Sequence, residues 1–203
     1  MKLYYSPQAC SLSPRIALHE AGIAHTDVLA NTKTHMLPDG TDYYTINPLG
    51  YVPLLELDNG ERLSEGPAIV QYIADLAPAS KLAPAAGTMP RYRLMEWLNF
   101  ITSEVHKSFS PLFNPAMPEE GKAVYRARLH TRFKYLDEQL EGKPWLMGDT
   151  FTVADGYLFT CARWGAFVGV DTSGYKNVTA YLARVQARPA VQAAMKAEGI
   201  PAA

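Results

Sequence analysis

The chain has 203 residues and a net charge of −1, from 19 Lys+Arg against 20 Asp+Glu. At about 150 residues per domain, that length makes one or two domains. The near-neutral balance excludes a nucleic-acid binder that works by neutralising phosphates, and 48% hydrophobic against 19% charged residues excludes general disorder.

Lys2–Tyr5 reads as a strand, closed by Ser6-Pro7. Ser13-Pro14 opens a helix that runs to Gly22, since Pro suits a first helical position and Gly suits the stop. Thr26–Ala30 is a second strand. Pro53–Leu57 and Glu61–Ser64 flank Asp58-Asn59-Gly60, and Asn-Gly is a strong hairpin signal. Pro67–Ala77 is a second helix. Together these make a small α/β unit with its first two strands parallel. Ala77 to Pro90 is rich in Pro, Gly, Ala and Ser and reads as a linker. Strand patterns then vanish. Arg91–Phe113, Glu119–Leu140, Val153–Phe167, Asn177–Ala187 and Ala190–Ala197 read as helices. The expected class is α/β plus all-α, with domains at 1–80 and 88–203 and a linker at 81–87.

The N-terminus lacks the roughly 7–15 apolar residues of a secretory signal. The most apolar stretch, Gly156 to Val170, is broken by Arg163 and shorter than the ~18 residues of a membrane span. The only cysteines are Cys10 and Cys161, which supply no disulfide framework. A soluble, reducing, cytoplasmic setting is expected, with no membrane and no nucleic-acid partner.

Cys10 precedes the first helix, where unpaired N–H groups favour a thiolate. It is a candidate nucleophile; the plain alternative is a half-buried structural residue. In Cys10-Ser11-Leu12-Ser13 the second cysteine of a dithiol motif is replaced by Ser13, so one-thiol chemistry remains. Cys161 lies in an apolar run and reads as core.

On a helical wheel, Leu94, Leu98, Ile101, Val105 and Leu112 share one face of Arg91–Phe113 and are expected in the core. Asn99, Ser103, His106 and Ser110 share the opposite face. That stripe reads as a cleft wall or as a solvated face with a stray histidine. Glu65-Gly66-Pro67 starts the second helix. Gly66 permits close backbone approach, the helix N-terminus suits a carboxylate, and Glu65 suits an ammonium. The pair fits an α-amino-acid ligand end, or else a helix start with a favourable acidic residue. Pro53 restricts Val52 to extended geometry and leaves its backbone groups free for a peptide. Thr152-Val-Ala-Asp155 before an apolar run is a capping box, with a folding role.

The runs MKLYYSPQACSLSP, NPLGYVPLLEL, LSEGPAIVQYIAD, WLNFITSEVHKSFSPLF and FTVADGYLF span nearly the whole chain in order. They resemble the bacterial beta-class glutathione S-transferases. The resemblance implies a thioredoxin-like N-terminal domain followed by an all-helical C-terminal domain, a homodimer, glutathione as substrate and no metal. It implies catalytic roles for Cys10 and His106. It assigns glutathione contacts to Cys10, His35, Val52, Pro53, Glu65, Gly66, Asn99, Ser103, Glu104, Val105 and His106, with Pro53 at the family's cis proline. It places Trp164 in the electrophile pocket. The class often has a lysine where this chain has His35, with Lys33 two residues away. The implied activity is conjugation of reduced glutathione to small hydrophobic electrophiles in detoxification. Two alternatives stand beside it: a glutathione-dependent thiol-disulfide reductase or reductive dehalogenase using Cys10, and a non-catalytic carrier or scaffold.

Overall fold

Strand β1 (Lys2–Tyr5) pairs in parallel with β2 (Thr26–Leu29), from Lys2 opposite Thr26 to Tyr5 opposite Leu29. Helix α1 (Leu12–Ala21) supplies the crossover that a parallel pair needs and stops at Gly22 as expected. On its other edge β1 runs antiparallel to β3 (Leu54–Glu56), which pairs antiparallel with β4 (Arg62–Ser64) across the Asn59-Gly60 turn. The sheet order is β2-β1-β3-β4. The pleat sends neighbouring side chains to opposite faces. Leu3 faces Leu55 and both are fully buried. Tyr4 and Leu54 fill the other face with Ala30, Leu37, Tyr43 and Val52. Helix α2 (Gly66–Leu76) packs on α1 and on β3 and β4.

The computed structural model describes residues 1–201 and contains two units. One is Met1–Leu82 with the segment from Pro189 onward; the other is Ala83–Arg188. Among the described residues no strand follows Ser64. In the second unit, α3 (Met89–Phe100) starts at Thr88, whose side chain accepts the Arg91 N–H. It continues through a π-helical segment, Ile101–His106, into α4 (Lys107–Phe113). The five apolar residues read as core on this stretch are all buried. Helix α5 (Glu119–Gln139) follows, then α6 (Val153–Ala162), α7 (Gly165–Val168) and α8 (Lys176–Gln186).

Three local differences from the sequence reading have physical causes. The expected single helix Arg91–Phe113 contains the π segment, because i→i+5 bonding replaces i→i+4 there. The expected helix Val153–Phe167 stops at Ala162 and resumes at Gly165. A Cβ on Gly165 would sit 2.6 Å from the Val170 carbonyl oxygen, so the chain turns back on itself at that point. The last helix, α9 (Pro189–Ala197), packs on α1 in the first unit, where Val191, Ala194 and Met195 are buried. An apolar face at i, i+3 and i+4 must be covered, but its sequence does not say by what.

Candidate active site

In the first unit Cys10 ends the loop between β1 and α1 and is half-buried. Ser11 ties this loop to its start. Its hydroxyl accepts the Ser6 N–H at 3.2 Å and donates to the Ser6 carbonyl at 3.1 Å. The Cys10 thiol donates to the Val52 carbonyl at 3.2 Å. Val52 and Pro53 are buried, and the bond joining them is cis. The first turn is tighter than the sequence reading assumed. The Leu12 and Ser13 amides already donate to the Ala9 and Cys10 carbonyls, so fewer N–H groups face a thiolate.

Glu65 stands at the head of α2 with φ +67. Its carbonyl accepts the Ala68 and Ile69 N–H groups, and its exposed side chain makes no capping bond. A non-glycine residue in this region costs about 1–3 kcal/mol and persists where the surroundings enforce it, commonly at ligand sites. At Gly66 a Cβ would lie 4.0 Å from Pro53 Cγ, an ordinary contact. Apart from its chain neighbours, nothing crowds that position. Gly66→Ala is expected to leave the melting temperature within about 2–4 °C of wild type, because the ~0.4–1 kcal/mol of reduced unfolded-state freedom is offset by the crowding that the following Pro67 imposes on helical backbone carrying a Cβ, as a thermal melt would read.

His35 has φ +54 and is wedged in place. Its ring lies 4.4 Å from Tyr44, and its Nδ1 would be 2.7 Å from a Cβ on Gly50. Only glycine at position 50 leaves room for that ring. Nearby Lys33 is exposed.

In the second unit the expected polar stripe divides. Asn99, Ser103 and Ser110 are exposed, with the Ser103 hydroxyl donating to the Asn99 carbonyl at 3.0 Å. His106 turns inward instead, since the π segment changes the angular step along the helix. Its Nδ1 lies 2.7 Å from the Tyr157 hydroxyl and its ring 5.0 Å from Trp164. Burial, helped by Lys107, pushes its pKa down to about 4. Val105 is fully buried. Glu104 receives Arg132 at 2.6 Å and Arg128 at 3.0 Å, and this pairing holds its carboxyl below the usual range. Trp164 packs edge-on against Phe109 and Phe113, and Phe113 stays half-exposed.

Tyr157, Phe109, Phe113, Arg128 and Arg132 were not singled out from sequence. For Tyr157 a signal existed: a buried tyrosine in an apolar helix needs a partner for its hydroxyl.

Two family models match the chain. The glutathione S-transferase N-terminal domain matches residues 9–76, and the C-terminal domain matches residues 100–189. Glutathione S-transferase GstA of Escherichia coli O157:H7 is 44% identical over 98% of this chain and 100% of its own length. The chain belongs to the glutathione S-transferase family. The solved structure of BphK, a bacterial transferase in a ternary complex, is 53% identical with a TM-score of 0.97, covering 98% of this chain and all of that one. A beta-class transferase of Sphingomonas chungbukensis is 47% identical with a TM-score of 0.96, over 99% of this chain and all of that one. This chain is accordingly a glutathione transferase of the bacterial beta class with the transferase fold. The reductase, dehalogenase and carrier alternatives gain no support from these relatives.

Proposed function

We propose that this transferase conjugates reduced glutathione to small hydrophobic electrophiles, in the cytoplasm and in a detoxifying role. The observation that carries the reading is the head of α2. There Glu65 is held at positive φ, and its uncommitted carboxylate stands beside a helix N-terminus. That pairing suits the ammonium and carboxylate of a γ-glutamyl end. Gly66 lies within the same turn. The Val52 backbone beside Pro53 takes the cysteinyl unit, and His35 takes the glycyl end. Cys10 accompanies the glutathione sulfur as orienting group or covalent carrier. Asn99, Ser103, Glu104, Val105 and His106 are assigned to glutathione as the family resemblance implies, with His106 catalytic. Trp164, supported by Phe109 and Phe113, is assigned to the electrophile. The protein contributes orientation and electrostatics, and glutathione is the nucleophile.

The active form we assign is a homodimer. Met89, Tyr92 and Met95 leave large apolar side chains exposed at i, i+3 and i+6 on α3, the kind of surface a second copy covers.

Calorimetric titration of the reduced protein with glutathione tests the reading. About one glutathione per chain is expected. Glu65→Ala is expected to weaken binding about 10- to 100-fold, the worth of one hydrogen bond to a charged group. Its fold should be undisturbed, because that side chain caps nothing. Folded wild type without saturable binding would sink the proposal. Unchanged affinity in Glu65→Ala would remove Glu65 from the site.

A further inference from the structure

We propose that Tyr157 is the positioning residue for His106, and that it holds the imidazole as a neutral hydrogen-bond donor through Nε2 and not as a general base. The proposal rests on His106 belonging to the glutathione machinery and concerns the way it acts there.

Tyr157 lies on α6 and is 3% exposed. Its hydroxyl stands 2.7 Å from His106 Nδ1. Thr102, one turn before His106, donates its hydroxyl proton to the Leu98 carbonyl at 2.8 Å and shares it with the Tyr157 oxygen at 3.3 Å. A tyrosine hydroxyl carries one proton and accepts others through its oxygen. The imidazole nitrogen is a stronger acceptor than a hydroxyl oxygen and stands closer, 2.7 Å against 3.3 Å for Thr102, so the Tyr157 proton is directed to Nδ1. A ring nitrogen that accepts a hydrogen bond is bare, so the imidazole proton resides on Nε2. The π segment makes this possible. It turns His106 toward α6, whereas the uninterrupted wheel puts it on the outer stripe with Asn99 and Ser103.

The surroundings keep the ring neutral. On its own stretch stand Glu104 and Lys107. From α5 come Arg128 and Arg132, both committed to Glu104. Helix α3 contributes Arg93 and Glu96, paired with each other at 2.8 Å on exposed side chains. Helix α4 adds only Lys107, and α6 presents the uncharged Tyr157, with Arg163 at its C-terminal end and with its Asp155 carboxyl committed to Leu146, Thr152 and Tyr181. Among the described residues no carboxylate forms an ion pair with His106 to favour an imidazolium. Burial and Lys107 oppose one as well. A neutral ring with Nδ1 occupied cannot take a thiol proton there. It can donate from Nε2 to a sulfur that gains negative charge as its own proton passes to water, which is stabilisation by a preset donor.

The test begins with the uniformly 15N-labelled, reduced protein without glutathione, titrated by NMR from pH 3 to pH 8. Wild type should show His106 protonated on Nε2 with Nδ1 bare. Tyr157→Phe keeps the buried ring and loses the donor. It should show a mixture of both tautomers, and a titration midpoint raised by about half a unit to one unit, the size of one neutral hydrogen bond. A wild-type ring protonated on Nδ1, or a titration that Tyr157→Phe leaves in place, overturns the proposal. A second arm does not depend on that variant folding. The side-chain amide of Gln places its N–H near the position of Nε2, whereas that of Asn lies near Nδ1. His106→Gln should conjugate an aryl halide with a kcat several-fold above His106→Asn, and the reverse order overturns the donor role. Glutathione titration of wild type is scored separately. Failure to bind there overturns the glutathione reading itself, whatever tautomer His106 adopts.

Discussion

Replacing Asp155 with alanine is expected to lower the melting temperature by about 10 °C. Asp155 is fully buried at the start of α6, where it closes the capping box with Thr152. Its carboxylate accepts the Thr152 N–H at 2.8 Å, the Thr152 hydroxyl at 3.1 Å, the Leu146 N–H at 2.9 Å and the Tyr181 hydroxyl at 3.0 Å. Alanine leaves these donors without an acceptor in the interior. At about 1–3 kcal/mol for each donor that cannot re-pair, a net loss of about 3–5 kcal/mol follows. For a chain near 200 residues each kcal/mol moves the midpoint by about 2–4 °C. The loss should also depend on pH. Burial pushes the Asp155 carboxyl up to about 6, against the pull of its hydrogen bonds. A group whose pKa is raised on folding stabilises fully below its unfolded value, near 4, and loses that contribution as pH rises through 6. The gap between wild type and Asp155→Ala should therefore be wider at pH 4.5 than at pH 7.5. Differential scanning fluorimetry at both pH values reads this. Equal melting temperatures would reject the capping role, and a gap that widens with pH would reject the raised pKa. Folded mutant protein should still bind glutathione, since the box serves folding.

The parts of this protein that could be read from sequence are those whose causes are local. The Asn59-Gly60 turn, the stop at Gly22 and the Pro-led starts of helices depend on backbone preferences of a few residues. The buried face of Leu94, Leu98, Ile101 and Val105 depends only on helical period. The runs around Cys10, Glu65 and His106 brought the family into view because the same short stretches carry both chemistry and fold. What escaped was non-local. The π segment arises where Thr102, Ser103 and Ser108 bond back to the carbonyls of Leu98, Asn99 and Glu104, and where Thr102 and His106 meet Tyr157 from another helix. No wheel drawn on 91–113 alone contains Tyr157. Glu104 belonged to the expected site, but the arginines that hold it lie 24 and 28 residues further on. The return of α9 to α1 depends on a face offered by residues about 180 positions earlier. His35 shows the same limit at short range, since its ring is fixed by the absence of a side chain at Gly50.

Arg15→Met is expected to cost about as much as the Asp155 substitution and to disturb the Cys10 loop as well. An arginine on an amphipathic helix ordinarily faces water, yet Arg15 is completely buried. Its guanidinium lies 3.9 Å over the Tyr5 ring, 2.8 Å from Asp27 and 3.2 Å from Glu198. Both contacts set the guanidinium charge at close range against a carboxylate charge. Burial works against the Asp27 carboxylate, but His25 and Arg15 outweigh it and keep its pKa below the ordinary carboxylate range. The Glu198 side chain is as buried as that of Arg15, and its other oxygen accepts the Gln8 N–H at 2.7 Å. Gln8 is held at φ +63, two residues before Cys10. One cation thus links β2, α1 and the C-terminal segment, and through Glu198 it reaches the loop that ends in the thiol. Methionine fills the volume but deprives a buried carboxylate of its counter-charge, a change that costs about 3–5 kcal/mol when a buried pair is broken. The melting temperature should fall by about 6–20 °C. In Arg15→Met/Glu198→Gln the buried charge goes with its partner, so the double variant should be less destabilised than the two single losses added together. Glutathione turnover in protein that remains folded should fall in both, because the Gln8 contact is weakened in each. Additive losses in melting temperature would show that Arg15 and Glu198 act independently. Unaltered turnover would show that the Cys10 loop holds its shape without them.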